Sequence, residues 1–492
     1  MTYPPNAAAA SAAPGATAAT ARPGSGVPAQ PGQPGRPGRA GRSGPAGAGS
    51  GAVPPPAAPG AWAQGREVLR RAATTEPGRL RILGAVLALL VVAFGAVASF
   101  EVADRASYAD DVVGRSQPLS ADAADIYRSL ADADATAASG FLAGPQESAQ
   151  IRRRYADDVT TASRLLVRAA ASTDADGVAA REIATLNEHL PRYTGLIERA
   201  RAANRQGLPL GGAYLRYANQ TMSRELLPAA ERLYALETAR LGQDDDEARA
   251  WPFLSLALGV VVLASLAWAQ RRNYLRTNRV FNRGLLAASA ACVAALLWLL
   301  TGHGLARAGL NDARAHGQES LQVLNEARIS SLKARANENL AVVARGAVLT
   351  EDGKRDKYEA DYTSSVAALG SALEAARRLA DDEAGSGPLT EAAARTGEWR
   401  TRHEQARVLD DAGDFTGAMN RVIGTTESTG QSFDQVDAAL GRALAHEQDE
   451  FTRAAEGGRD ALTGLPFGAA ALGVLAAVCA VAGVNRRLSE YR

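Results

Sequence analysis

Four apolar runs, each free of Asp, Glu, Lys and Arg, divide the chain of 492 residues. Each run has about the 20 residues that a helix needs to cross the hydrocarbon core of a bilayer. The sequence therefore predicts four transmembrane helices. They cover residues 82–100, 251–269, 284–304 and 465–484.

The two long segments between spans, residues 101–250 and 305–464, carry the period of packed helices. Ile329, Leu332 and Ala336, for example, begin an apolar stripe with three- and four-residue spacing. Clusters of turn-forming residues interrupt each segment three times, which predicts four antiparallel helices per segment, the first and last continuous with the spans. We therefore expect an all-α protein with two helical bundles. The breaks fall at 143–146, 172–177, 205–212, 350–354, 381–388 and 410–414.

The distribution of charge predicts how the spans are oriented. Residues 1–81, the hairpin 270–283 and the C-terminal residues 485–492 together hold 17 basic and three acidic residues. The two long segments hold the other 37 basic residues and 50 acidic ones. Because basic residues accumulate on the cytoplasmic side of short loops, we expect both termini and the hairpin in the cytoplasm. The two long segments would then be extracytoplasmic bundles of a multi-pass plasma-membrane protein.

The N-terminal residues 1–65 are rich in Pro, Gly and Ala. Such a segment cannot bury enough apolar surface to offset the entropy of ordering, so we expect a disordered cytoplasmic tail. A basic juxtamembrane segment, residues 66–81, follows it. Arginine is abundant and lysine nearly absent (Lys333, Lys354 and Lys357), a composition typical of an actinobacterial genome.

Signatures of catalysis are missing from the sequence. The two cysteines, Cys292 and Cys479, lie inside predicted spans, so the outer segments have neither a disulfide nor a thiol nucleophile. The sequence contains no phosphate-binding Gly loop, no zinc motif on a helix and no nucleophile elbow. We therefore expect a protein that is not an enzyme and that has no cofactor, no metal and no nucleic-acid partner.

A short motif occurs once in each long segment, which suggests a tandem duplication of a unit made of span, bundle and span. Residues 152–163 resemble residues 355–366 at a constant offset of 203 positions, and the first and third spans begin 202 positions apart. One interpretation makes the motif a pair of docking surfaces at the ends of the bundles away from the membrane; the other assigns it to helix starts and packing. The candidate partner-binding residues are Arg154, Tyr155 and Asp158 in the first segment and Lys357, Tyr358 and Asp361 in the second.

The cytoplasmic hairpin is the second candidate contact surface. Its five arginines determine the topology, and they also suit contact with anionic lipid. Because only eight residues follow the fourth span, we expect a separate cytosolic protein to receive any signal. The candidate residues are Tyr274, Arg276, Arg279, Phe281 and Arg283.

The layout resembles one family, the four-span GlnX-type membrane proteins of actinobacteria. The resemblance is carried by the Pro/Gly-rich N-terminus, by "EVADRASYADDV" after the first span and by the hairpin "QRRNYLRTNRVFNRG". The second bundle adds "LKARANENLAVVARGAVL" and "KYEADYTSSVAAL". The resemblance implies two partners, a glutamine-binding-type solute-binding lipoprotein (GlnH) outside and the soluble Ser/Thr protein kinase G inside. It carries over no catalytic residue.

The expected function is therefore that of a transmembrane signalling adaptor. It would relay the availability of amino acids of the Glu, Gln or Asp type, sensed by the lipoprotein, to the cytosolic kinase. Two alternatives stay open: a direct ligand sensor of the chemoreceptor type, and a structural scaffold of an envelope complex. Contacts with membrane lipids and a homo-oligomer are compatible with all three.

Overall fold

The computed structural model describes residues 76–173, 177–277 and 282–489, although for a few of these, among them Arg276 and His316, it gives the backbone alone. These residues are 91% helical and contain no strand. The prediction of an all-α fold is confirmed. The predicted tail, residues 1–65, lies outside the described residues, as does most of the basic segment 66–81.

The first half of the chain forms a bundle. Its first helix continues from the first span, and its last helix leads into the second span. A π-helical turn, Val112–Ser116, joins the first two helices, and a second one, Met222–Leu226, joins the fifth to the sixth. The helices are α1 (Glu76–Asp111), α2 (Gln117–Ala143), α3 (Ala149–Ser172), α4 (Val178–Arg205), α5 (Leu210–Thr221), α6 (Leu227–Arg249) and α7 (Phe253–Thr277).

The second half of the chain repeats this order with one difference. A π-helical turn, Ala313–Gln318, again follows the first helix, but an open break at residues 424–428 replaces the π turn before the last long helix. The helices are α8 (Arg283–Asp312), α9 (Glu319–Ala344), α10 (Lys357–Leu379), α11 (Glu383–Asp411), α12 (Phe415–Ile423), α13 (Thr429–Leu462) and α14 (Leu465–Ser489).

Most predicted helix ends agree with the structure, but the break predicted at 350–354 is wider and covers residues 345–356. Two further differences have local reasons. The break predicted at 381–388 is short, because the Asp382 carboxylate accepts a hydrogen bond from the backbone N–H of Gly385 (2.7 Å) and starts α11 at Glu383. The break at residues 424–428, which the sequence analysis did not anticipate, leaves α12 as a short separate helix. There Glu427 has a positive φ of 50°.

The described residues contain four helices long and apolar enough to cross a membrane, which confirms the four predicted spans. All four run far beyond the apolar part, the second and fourth with short breaks at residues 250–252 and 463–464. One continuous helix covers 69 residues, Gly78–Gln146, and another covers 62 residues, Arg283–Ala344. At 1.5 Å per residue, the part of the first helix beyond residue 100 extends roughly 65 Å from the span.

The main hydrophobic cluster of the helical body outside the spans is shared by both halves, and two smaller clusters accompany it. Its central elements are α2 and α9, with Ile126 and Leu130 on one helix and Leu332 and Leu340 on the other in the same buried cluster. Asn339 of α9 is fully buried and joins the two helices through its side-chain amide. The amide donates to the carbonyl of Ala135 (3.1 Å) and to the hydroxyl of Ser139 (2.7 Å) on α2.

Two arginines hold the join between α6 and α7 at the edge of the spans. Arg105 donates to the carbonyl oxygens of Ala250 (2.7 Å) and Trp251 (3.1 Å), and Arg307 donates to that of Arg249 (2.8 Å). These carbonyls have lost their helical partners at the end of α6, so the guanidinium groups take their place.

Glycines allow α8 and α13 to cross at close range just outside the spans. A Cβ built on Gly458 of α13 would lie 3.0 Å from the carbonyl oxygen of Ala306 and 3.1 Å from the backbone nitrogen of Leu310. A Cβ built on the neighbouring Gly457 would meet nothing within 4 Å. A methyl group therefore has room at position 457 but not at position 458.

We predict that Gly458→Ala destabilises the protein by about 1–3 kcal/mol, because the backbone of α8 leaves no room for a methyl group. Gly457→Ala is the matched control and should stabilise the helix by roughly 0.5–1 kcal/mol, the usual gain at an exposed helical position. Thermal unfolding of both variants in the same detergent measures the difference. Equal midpoints would contradict the close crossing.

Candidate functional site

Among the cavities between the halves, two lie on different faces of the α2–α9 pair and are lined in part by the repeated motif. The Lys333 crevice, a cavity of about 290 Å³, has charged groups from α2 (Asp134), α6 (Glu231), α9 (Lys333) and the start of α10 (Lys357 and Asp361). The Arg154 crevice, about 690 Å³, is lined by α2, α3, α9 and the region around the break between α12 and α13. They are the polar cavities closest to the repeated motif.

Helical geometry explains how the central helices serve both crevices. Residues two positions apart on a helix point about 200° from each other, at 100° per residue. In "ADADA" of α2, Asp132 therefore lines the Arg154 crevice and Asp134 lines the Lys333 crevice. In "KAR" of α9, Lys333 and Arg335 divide in the same way. Each crevice thus receives one acid or base from each central helix.

The Lys333 crevice contains a carboxylate without a cationic partner. Asp134 is only 4% exposed and accepts a hydrogen bond from the side-chain amide of Asn219 (2.8 Å). Burial raises its pKa to about 6. Lys333 lies with its ammonium group 5.6 Å from the centre of the Tyr127 ring. Within the described residues, neither Asp134 nor Lys333 forms an ion pair.

The Arg154 crevice is neutralised by its own side chains. The Arg154 guanidinium pairs with Asp132 of α2 (3.0 Å) and with Asp434 of α13 (3.0 Å), and so connects the two halves. Arg335 pairs with Glu338 one turn along α9 (2.6 Å). Phe433 lies between the two guanidinium groups, 5.8 Å from that of Arg154 and 5.9 Å from that of Arg335.

The six motif residues predicted as docking positions lie beside these crevices. Arg154 bridges the halves, and Lys357 pairs with Asp361 one turn along α10 at the Lys333 crevice. The two tyrosines, Tyr155 and Tyr358, are each only 6% exposed. The structure thus brings the motif to the interface between halves, with its tyrosines in the core. Docking of a partner at these positions stays a prediction.

Asp134 has three buried phenols around it. Burial raises the pKa of Tyr155, Tyr193 and Tyr358, and the charge of the Asp134 carboxylate raises each further. The third acid of the first motif, Asp158, is half-buried, and burial together with Asp132 raises its pKa to about 8. The motif therefore contributes to an acidic and phenolic interior that the sequence alone did not indicate.

A buried ionic cluster extends from the Arg154 crevice into the second half. The Glu338 carboxylate accepts hydrogen bonds from Arg335 (2.6 Å) and from the indole N–H of Trp399 (3.1 Å). The His403 ring joins Glu338 (3.0 Å) to Glu359 (3.1 Å). Burial alone would lower the pKa of His403, but its hydrogen bonds to the two carboxylates outweigh burial and raise the pKa to about 9.

Among the residues that the structure describes, one group of side chains has the spacing to hold a metal ion: Asp382, His446 and Glu450. The His446 Nε2 atom lies 3.2 Å from Asp382 Oδ1 and 3.6 Å from Glu450 Oε1. Asp382 already caps the N-terminus of α11, and ordinary ion pairing accounts for the other contacts. The cluster therefore requires no metal.

The predicted cytoplasmic residues are only partly described. Tyr274 is 45% exposed near the end of α7, and Arg283 is the first residue of α8. The side chain of Arg276 lies outside the described residues, as do Arg279 and Phe281. The structure does not test the hairpin as a contact surface.

The charged residues of the central helices were not among the predicted site residues. Two signals were present: the acids of "ADADA" interrupt an otherwise small and apolar stretch, and two of the three lysines in the chain line one crevice. The residues concerned are Asp132, Asp134, Lys333, Arg335 and Glu338.

The buried ionic cluster around His403 predicts that the stability of the fold depends on pH. Because the pKa of His403 is about 9 in the folded chain and ordinarily near 6.5, its charged form stabilises the fold fully below about pH 6.5. That contribution, roughly 1.4 kcal/mol per pKa unit, is lost as the pH rises through 9. His403→Gln should flatten the fall in unfolding midpoint between pH 7 and 10. Glu404→Gln, exposed on the same helix, should retain it; an unchanged slope in His403→Gln would exclude the assignment.

Comparison with known proteins places a sensor domain on the first half. Residues 108–246, less than a third of the chain, match a family model described as an actinobacterial sensor domain. No curated protein matches the chain, and no solved structure matches it. The matched stretch begins just before the first π-helical turn and ends within α6. The match and the four membrane-length helices fit an actinobacterial membrane protein with a sensing or signalling role.

Proposed function

We propose that the protein is a non-enzymatic transmembrane sensor that carries a signal from the helical body to the cytoplasmic face. One observation carries the proposal: the central helices α2 and α9 are continuous with the first and third spans. A change in how these helices pack against each other therefore moves the spans with them. Such a transition needs two packings of similar free energy, one of which the stimulus stabilises.

The π-helical turns at Val112–Ser116 and Ala313–Gln318 support this route. They lie between the spans and the central helices, at corresponding places in the two halves. A π turn inserts one residue into the regular hydrogen-bond ladder and is found mostly at functional sites. Moving or removing such a turn rotates everything beyond it, so the pair offers a means to couple the body to the spans.

For the source of the signal and its receiver, we propose the adaptor arrangement. In it, a solute-binding lipoprotein outside senses amino acids of the Glu, Gln or Asp type, and a cytosolic Ser/Thr kinase receives the signal. Two features support this arrangement. The orientation given by the basic residues exposes the helical body outside, and both long segments carry excess acid, which suits a basic or polar face of a partner.

A direct sensor is the second candidate, and the Lys333 crevice favours it. A cavity between the helices that move is the place where a small molecule acts on their packing. The uncompensated Asp134 gives this cavity a polar group that a ligand can satisfy.

We also propose that the chain arose by duplication of a unit of two spans and one bundle. In support, Arg105 and Arg307 lie 202 positions apart and hold the same join between α6 and α7. The π turn in the first half and the break in the second, which begin at Met222 and Gly424, are also 202 positions apart.

We predict that crosslinking in intact cells, followed by mild extraction of the tagged protein and mass spectrometry, recovers the lipoprotein and the kinase. An unrelated multi-pass protein with the same tag is the control for abundance. If neither partner is enriched over this control, the adaptor is wrong, and amino acids should then be titrated directly against the purified chain.

We predict that combined replacement of Arg276, Arg279 and Phe281 by Ala lowers kinase output at unchanged expression, because the hairpin is the cytoplasmic surface between spans. Arg271 and Arg272 are kept so that the topology is preserved. The matched control replaces Arg276 and Arg279 by Lys and keeps Phe281. This control retains the positive charge of the hairpin. Kinase output equal to that of the unmodified protein in the Ala variant would exclude the hairpin as the contact surface.

A further inference from the structure

The two crevices share one construction but differ in charge compensation. Positions 132, 135 and 136 of α2 line the Arg154 crevice as positions 333, 336 and 337 of α9 line the Lys333 crevice. By this match of faces, at an offset of 201, Asp132 corresponds to Lys333 and Asp134 to Arg335. The sign of the charge is thus exchanged at both positions. Each crevice still receives one acid and one base from the central helices.

In the Arg154 crevice, every one of these charges has an internal partner. Arg154 holds Asp132 and Asp434 together, and Glu338 neutralises Arg335. The guanidinium of Arg154 stands where a cationic ligand group would stand, between two carboxylates from different halves. The charges of this crevice are therefore paired without a ligand.

In the Lys333 crevice, the equivalent of Arg154 is Lys357, which pairs with Asp361 on its own helix instead of crossing to the other half. Asp134 accepts hydrogen bonds from neutral groups, the Asn219 amide and the Tyr193 phenol, although it is only 4% exposed. A buried carboxylate without a cation is costly, and an ammonium group from a ligand relieves that cost. Lys333, half-buried and hydrogen-bonded to Tyr127, offers a cation for an anionic group. Glu231 lines the same crevice, and its charge raises the pKa of Lys333.

We propose that the Lys333 crevice binds a small zwitterion, with its ammonium group at Asp134 and its anionic group at Lys333, and that the Arg154 crevice binds none. The cavity of about 290 Å³ restricts the ligand to roughly ten water volumes at about 30 Å³ each. Its polar walls, which include Asn219, Ser223, Asn337 and Ser364, suit a compact polar molecule.

This inference rests on the sensing role proposed above. It adds that the ligand acts on one side of the α2–α9 contact only. A zwitterion would connect Asp134 on α2 to Lys333 on α9, as Arg154 connects the halves on the other side. Occupation therefore strengthens the contact between the central helices on one side only, which favours a tilt or rotation over a symmetric closure.

The test is isothermal titration calorimetry on the full chain in detergent micelles. The zwitterionic probes are glycine, L-aspartate, L-glutamate, L-glutamine and γ-aminobutyrate; putrescine and succinate carry only one kind of charge. We expect at least one zwitterion to bind with one site per chain, and both single-charge probes to bind at least tenfold more weakly. Absence of binding by all five zwitterions overturns the proposal, as does a stoichiometry of two.

Variants assign the site. Asp134→Asn and Lys333→Met should each weaken binding of that zwitterion at least tenfold, and the half-buried Lys333 is the safer change if Asp134→Asn unfolds the chain. Asp434→Asn in the Arg154 crevice is the matched control and should leave the affinity within about twofold. Retained affinity in Lys333→Met overturns the assignment. Recovery of the lipoprotein and kinase with a chain that binds no zwitterion would refute this inference alone and leave the adaptor standing.

Discussion

The contact between the central helices α2 and α9 is the constraint on which the rest of the structure depends. From Ala131 to Ala138, every residue of α2 is buried, so this stretch touches other helices on all sides. Small residues make such an enclosed helix possible, because they let neighbouring backbones approach closely. The stretch nevertheless includes two aspartates, and α9 brings Arg335, Glu338 and Asn339 into the same interior.

Buried polar groups fix the register of this contact more strictly than apolar packing does. An apolar side chain can slide along a neighbouring surface at modest cost, whereas a buried amide or carboxylate that loses its partner costs roughly 1–3 kcal/mol. The Asn339 amide donates hydrogen bonds to Ala135 and Ser139. The Glu338 carboxylate is hydrogen-bonded to Arg335, Trp399 and His403. A register shift between α2 and α9 would break the Asn339 bonds, so a second stable packing has to re-pair these groups.

The sequence predicted the elements well because their signals are local. The spans are visible as uncharged apolar runs, and most helix ends coincide with Gly, Pro or Asp at the turns. The burial of Tyr155 was also present in the helical period, since Ala162, Leu166 and Ala169 continue its face at intervals of seven, four and three. The pairing between halves was not predictable: Arg154 and Asp434 are 280 positions apart, and neither neighbouring sequence identifies the other.

Exchange of charge between corresponding positions turns a symmetric framework into an asymmetric one. With identical charges at positions 132 and 333, and at 134 and 335, the two crevices would bind the same ligand and respond alike. Opposite signs instead let Arg154 satisfy one crevice from within, while Lys357 remains on its own helix and leaves Asp134 uncompensated. Since α2 and α9 both continue into spans, a force on one side of their contact at Asp134 acts about 50 Å from the first span. The proposed binding of a zwitterion at one of two unlike crevices would therefore move the spans in one direction.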